Sequence, residues 1–206
     1  MSVRSSPIDV RHEGVATTDD SRDQRARKLA IWLAGWAFVY GCYRAYYAFG
    51  GTFGMIGEPV SKPVFQAINA AGAAIIMAAA VLPLILARPA LRRALPFFGW
   101  AGAVGCCMHA VVNWTLRVLS VTGVHPTELP GSVWVSYDRN VADLQDLFLN
   151  EPWFFVEGLL WGALALVFVR ASRRRLWLTT AVAAMVLTSA LGILTGVGLL
   201  DSFIVL

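Results

Sequence analysis

Of 206 residues, 57% are apolar or aromatic and only 15% are charged, against about 25% charged in an ordinary soluble domain. With a mean hydropathy of +0.61, this excludes a water-exposed surface for most of the chain. The net charge of +4 does not point to nucleic acid. The basic residues gather at the ends of apolar stretches, where topology and anionic lipid account for them, and no helix-turn-helix, zinc-finger or RNA-binding signature accompanies them.

The stretch from Met1 to Lys28 is polar, mixed in charge and rich in Ser, Thr, Asp and Arg. Lacking an apolar segment, it reads as a disordered tail rather than a signal peptide. Five apolar stretches follow. A helix needs roughly 20 such residues to cross a hydrocarbon core of about 30 Å. The expected spans are Leu29 to about Gly50, about Phe65 to Ala87, Pro96 to about Ser120, Pro152 to Val169, and Leu176 to about Leu200. Pro96 and Pro152 suit first-turn positions, where a missing N–H costs nothing. Pro83 predicts a kink in the second span.

Between the third and fourth spans, Val121 to Glu151 is long for a connector. Val141, Leu144, Leu147 and Phe148 recur near helical spacing and predict an interfacial helix that Asn150 and Pro152 break, serving as a loop anchor or as a lid. The expected fold is an all-α integral membrane five-helix bundle over 29–206, with a tail over 1–28 and an outer interfacial segment over 121–151.

Basic residues mark alternate gaps: Arg22, Arg25, Arg27 and Lys28; Arg88, Arg92 and Arg93; Arg170, Arg173, Arg174 and Arg175. The other two connecting segments carry only Lys62 and Arg139. The positive-inside rule places the N-terminus in the cytoplasm and the C-terminus outside, in a multi-pass protein of the cell membrane. Acids show the opposite bias: Glu58, Glu128, Asp138, Asp143, Asp146, Glu151 and Asp201 fall in or near outer segments, and Glu157 just inside the fourth span.

The spans contain ionisable groups. His109, Asn113 and Arg117 recur at i, i+4, i+8, a polar row about 12 Å long on one helical face. The first span presents Tyr40, Arg44 and Tyr47, and the fourth presents Glu157 between Trp153 and Trp161. An intramembrane Arg costs at least about 2.5–3.5 kcal/mol, so Arg44 or Arg117 is expected to pair with Glu157, although Arg117 has the option of snorkelling to the surface. Such a constellation serves as structural glue or as a functional pocket. Tyr40, Trp114 and Trp161 share its neighbourhood, and an aromatic-lined pocket suits an apolar or cationic guest.

Gly50, Gly51 and Gly54 read as a helix cap, and Gly192 with Gly196 as a helix-packing GxxxG. Cys42, Cys106 and Cys107 form no CxxC pair and read as apolar packers. No metal-ligand spacing or P-loop is present, so neither metal nor cofactor is expected. Asp143 and Asp146 form a lone DxxD that reads as a solvated helix face. No internal duplication suggests an inverted-repeat transporter.

The run Tyr43-Arg44-Ala45-Tyr46-Tyr47-Ala48-Phe49-Gly50-Gly51-Thr52-Phe53-Gly54 and the run Asp146-Leu147-Phe148-Leu149-Asn150-Glu151-Pro152-Trp153-Phe154-Phe155 resemble a family of small polytopic actinobacterial membrane proteins of unknown function. Arg44 stands near the position where that family often has His. In size, span number, aromatic richness and acids near one membrane face, the chain is more weakly similar to the small integral-membrane terpene cyclases. That similarity implies a membrane-embedded enzyme acting on a lipophilic isoprenoid substrate by acid-initiated cyclisation. The candidate acids are then Glu157, Glu58 and Asp201, with His109 taking the final proton or, with Asn113, orienting the acid. Tyr40, Arg44, Tyr47, Asn113, Trp114, Arg117 and Trp161 would contact substrate. A proton-coupled carrier or lipid-binding protein is the alternative, and a structural subunit a third reading. The expected partners are a lipophilic small molecule, membrane lipid and, as one option, a second copy of the chain; nucleic acid is not among them.

Overall fold

The computed structural model describes residues 11–200. It is all-helical apart from one short strand pair: α1 (Arg11–Ala48), β1 (Gly57–Pro59), α2 (Lys62–Leu86), α3 (Leu95–Val121), β2 (Trp134–Tyr137), α4 (Arg139–Gln145), α5 (Glu151–Phe168) and α6 (Arg174–Gly196). A π-helical turn, Asp146–Asn150, joins α4 to α5.

Four helical segments are long and apolar enough to cross a membrane: Lys62–Leu86, Arg92–Val121, Arg139–Phe168 and Ala171–Gly196. Their starts follow local chemistry. The Ser61 hydroxyl accepts from the Val64 N–H at 3.5 Å, and Pro63, Pro96 and Pro152 occupy first-turn positions, where no intrahelical donor is lost. The apolar surface faces outward. Trp32, Ile75, Leu187 and Leu199 are all more than half exposed, and Ser189 is the only buried residue of α6. Such an exterior suits hydrocarbon rather than water.

The first expected span departs from this group. Leu29 to Ala48 is helical within α1, but Arg44 and four tyrosines lower its hydropathy, and α1 is not among the four apolar segments. α1 also reaches back into the expected tail. At 38 residues it extends about 57 Å. Ala26 is buried with Ala30, Leu33, Leu86, Leu95, Trp161 and Leu164 in the main core. Arg92 pairs with Asp23 at 3.1 Å, and the Arg22 Nε donates to the Val167 carbonyl at 3.1 Å. The stretch 11–28 is thus helical, and from Arg22 onward it docks, because these contacts give Arg22 and Asp23 partners that composition does not reveal.

Helices α1 and α2 pack along each other, as do α3 and α5, with α6 against α3 and α1 against α5. Missing side chains set the closest approaches. A Cβ on Gly158 would meet the Cys107 Sγ at 2.5 Å, and one on Gly192 would meet Val112 at 2.8 Å. The second of these fits the expected packing role of the Gly192–Gly196 spacing.

The connection into the fourth span also differs from expectation. Asn150 and Pro152 do not break the helix. Arg139–Phe168 forms one 30-residue helical segment, about 45 Å long. The Glu151 N–H donates to the Asp146 carbonyl, five residues back. The next donor in that register would be Pro152, which has none, so a widened turn replaces the break. The two strands, which sequence reading missed, pair antiparallel with Gly57 opposite Tyr137 and Pro59 opposite Trp134.

Candidate functional site

The π turn is the centre of the polar network. Sequence spacing placed Asp143 and Asp146 on a solvated face, whereas α4 lays that face on the end of α3. Asp143 is 1% exposed and Glu151 3%. The Arg117 guanidinium reaches Asp146 at 2.6 Å and Asp143 at 3.4 Å, and the Ser120 hydroxyl donates to Asp143 at 2.5 Å. The Asn150 amide donates to Asp146 at 2.6 Å and its carbonyl accepts from Tyr40 at 3.1 Å. The carbonyl of Leu147, in the register that Pro152 vacates, accepts from the Trp114 indole at 3.0 Å. π turns of this kind concentrate at functional sites.

One helical turn deeper, the row expected on α3 is intact. His109 and Asn113 lie 3.1 Å apart through Nε2 and Nδ2, and His109 Nε2 stands 3.7 Å from the Glu151 carboxylate. The ring of His109 meets Phe154 edge-on at 4.5 Å.

The expected pairing of Glu157 with an arginine does not occur. Arg117 is committed to Asp143 and Asp146, and Arg44 has no ion pair among the described residues. Glu157, 4% exposed, faces the Trp161 indole one turn along its own helix. Glu157 lies within Coulombic reach of Cys106 on α3 and of Tyr40 on α1, but no ion pair joins it to either guanidinium group. Trp161 belongs to the apolar core rather than to a cavity wall. Glu58 lies exposed on β1, apart from the network, and Asp201 lies outside the described residues.

Arg44 opens instead into a cavity of about 210 Å³, shared with Tyr43, Tyr47, Asn69, Asp146 and Asn150 and walled by Phe65 and Trp134. The strand pair covers it. Buried Asn69 donates to its own helix at Phe65, and its Oδ1 has no partner. Tyr47 donates to the Phe53 carbonyl at 3.0 Å, and Gln145 to the Tyr43 hydroxyl at 2.8 Å. Gly50 holds the loop in place. With φ +88°, it lets Gly51 N–H reach the Tyr46 carbonyl at 2.9 Å and its own N–H reach Tyr47 at 3.1 Å, a Schellman cap. Tyr40 lies within Coulombic reach of Arg44, Asp146, Glu151 and Glu157, and so links the cavity to the deeper acids.

Asn69, Ser120, Asp143, Gln145, Asp146, Asn150 and Glu151 are thus the members that sequence reading missed. One signal was present: 143, 146 and 150 recur at i, i+3, i+7, one helical face. No group of three or more His, Cys, Asp or Glu suited to a metal occurs among the described residues. No family model matches this chain, and no curated protein or solved structure shows significant similarity to it.

Proposed function

We propose that the chain is a five-span protein of the cell membrane, with a cytoplasmic N-terminus and an external C-terminus, that performs acid–base chemistry on a lipophilic, isoprenoid-type substrate. The apolar half of α1 is the fifth span. Its length suffices, it packs along α2, and the basic gaps alternate only if it crosses.

The observation that carries this reading is the isolation of Glu157. Both intramembrane arginines are turned elsewhere, and a buried carboxyl group without a cationic partner is carried as the neutral acid. That is the form an acid-initiated cyclisation requires. The polar end of the substrate sits in the Arg44 cavity, against the guanidinium and the unpaired Asn69 oxygen. Because 210 Å³ is below the roughly 300–1,000 Å³ of a pocket that encloses a drug-sized ligand, the cavity takes the polar end alone, and the chain of the substrate must displace Tyr40 from its contacts with Trp153 and Phe154 to reach buried Glu157. There the carboxyl proton adds to a terminal alkene carbon. The neighbouring tertiary cation is closed on by the next alkene, and loss of a proton to the Glu157 carboxylate or to His109 restores neutrality. The sum is an isomerisation needing no co-reactant. The tyrosine faces stabilise the passing cation.

Expression in a host fed farnesyl, geranylgeranyl and prenyl-arene substrates, followed by mass spectrometry of the lipid extract, tests the proposal. A new product that Glu157→Gln abolishes at unchanged expression supports it; an unchanged extract across the panel opposes it.

A second reading, a proton-coupled carrier, is favoured by one feature. His109, Glu151, Asp146 and Asp143 form a nearly continuous titratable row, three carboxylates to one guanidinium, an excess that a moving proton or cation would balance. Proteoliposomes showing pH-driven solute uptake would select it.

A further inference from the structure

At the other end of the bundle, some 30 Å along α3 from Arg117 by helical rise, lies a larger groove of about 1020 Å³. Arg22, Arg92, Arg93, Arg170 and Arg173 line it, drawn from three separate segments. The first two are occupied: Arg22 binds the Val167 carbonyl and lies 5.0 Å over the Phe168 ring, and Arg92 holds Asp23. Arg174 beside the groove caps carbonyls at the end of α5. The side chains of Arg93, Arg170 and Arg173 hold no hydrogen bond or ion pair among the described residues, and among those residues the one carboxylate paired with an arginine of the groove is Asp23, held by Arg92. The walls are fixed. The Trp177 indole donates to the Pro96 carbonyl at 2.9 Å, and the Trp100 indole to Thr180 at 3.3 Å. Among the groove's lining, Leu176 is 65% exposed, an apolar rim that meets the outward surface of the bundle.

A topological signal requires only positive charge near the span ends. It does not require three unpaired guanidinium groups to converge on one walled groove. We infer that this groove binds a phosphate-bearing anion, the forked donors of Arg93, Arg170 and Arg173 matching phosphate oxygens. The apolar rim favours a lipid headgroup over a free phosphate as its source. This site is independent of the acid site proposed above.

The test uses the full chain in nanodiscs of neutral phosphatidylcholine, titrated in one arm with a bis-phosphatidyl lipid (cardiolipin) and in the other with inorganic diphosphate. Thermal unfolding and native mass spectrometry are the readouts. Wild type should show saturable stabilisation and a retained phosphate ligand. The double variant Arg93→Gln/Arg173→Gln, which leaves Arg88, Arg92, Arg170, Arg174 and Arg175 to hold topology, should lose about tenfold in apparent affinity and keep its unfolding midpoint in neutral lipid. A charge-matched control, Arg25→Gln/Arg27→Gln, should bind within about twofold of wild type. Should the Gln variant fail to insert, Arg93→Lys/Arg173→Lys keeps the charge and should still bind several-fold more weakly. Saturation by the lipid alone assigns a lipid headgroup, and saturation by diphosphate alone assigns a soluble phosphate. Absence of saturable binding in both arms, or equal loss in the control, would overturn the inference.

Discussion

Arg117 and Asp143 stand 26 residues apart in the chain and 3.4 Å apart in space, and their contact brings the face of α4 that looked solvent-exposed onto the end of α3. The aspartate is 1% exposed and the arginine 13%. Removing one partner of such a pair strands the other charge, at a cost of about 3–5 kcal/mol. Arg117 is the member whose loss does this, because without Asp143 it keeps Asp146 at 2.6 Å. Arg117→Ala should therefore lower the unfolding free energy by that order, with Asp143→Ala falling between it and wild type. A loss below about 1 kcal/mol in thermal or denaturant unfolding would mean that the pair is solvated.

The π turn rests on Trp114 as well. Its indole satisfies the Leu147 carbonyl at 3.0 Å, a net contribution of about 1 kcal/mol for a neutral hydrogen bond. Trp114→Phe should cost roughly that much and speed hydrogen exchange across residues 146–151. Pro152→Ala restores the missing donor, so the double variant should recover part of the loss. Additive losses would separate the indole from the turn.

Close helix approach makes a third expectation. Gly158 has room for no side chain, since a Cβ would lie 2.5 Å from Cys107 Sγ and 3.1 Å from the Cys107 backbone nitrogen. Gly158→Val should destabilise by about 1–3 kcal/mol or more through overpacking, whereas the same change at Gly105, where nothing lies within 4 Å, should be tolerated far better. Equal unfolding midpoints for the two variants would place the α3–α5 contact elsewhere.

Topology is read by membrane-impermeant thiol labelling in a cysteine-free background. Ser136→Cys on the strand pair should react in intact cells, and Ala90→Cys in the basic loop only after permeabilisation. The reverse pattern would invert the bundle.

The sequence made the four apolar helices legible because hydrophobic run length and first-turn prolines are local signals. It made the His109–Asn113–Arg117 row legible because helical spacing is fixed. Partner choice was not legible. Whether Arg117 meets Glu157 or Asp143 depends on the rotation of α5 and on the π turn, and that turn arises from a proline that looked like a helix breaker. The helical stretch 11–28 escaped notice because its stabilising contacts, Asp23 with Arg92 and Arg22 with Val167, lie 69 and 145 residues away. The short strands escaped because the Trp134–Tyr137 run, aromatic and β-branched but only 4 residues long, sat inside a segment dominated by its helical period.

Conversion of unlabelled substrate by the purified protein in nanodiscs made up in heavy water, followed by mass spectrometry of the product, tests the role of Glu157 most directly. Acid initiation by its carboxyl group writes one solvent deuteron into a carbon–hydrogen bond of each product molecule, and Glu157→Gln removes both product and label while the protein remains folded in the membrane. A product free of solvent deuterium, or undiminished labelling in the Gln variant, would contradict it.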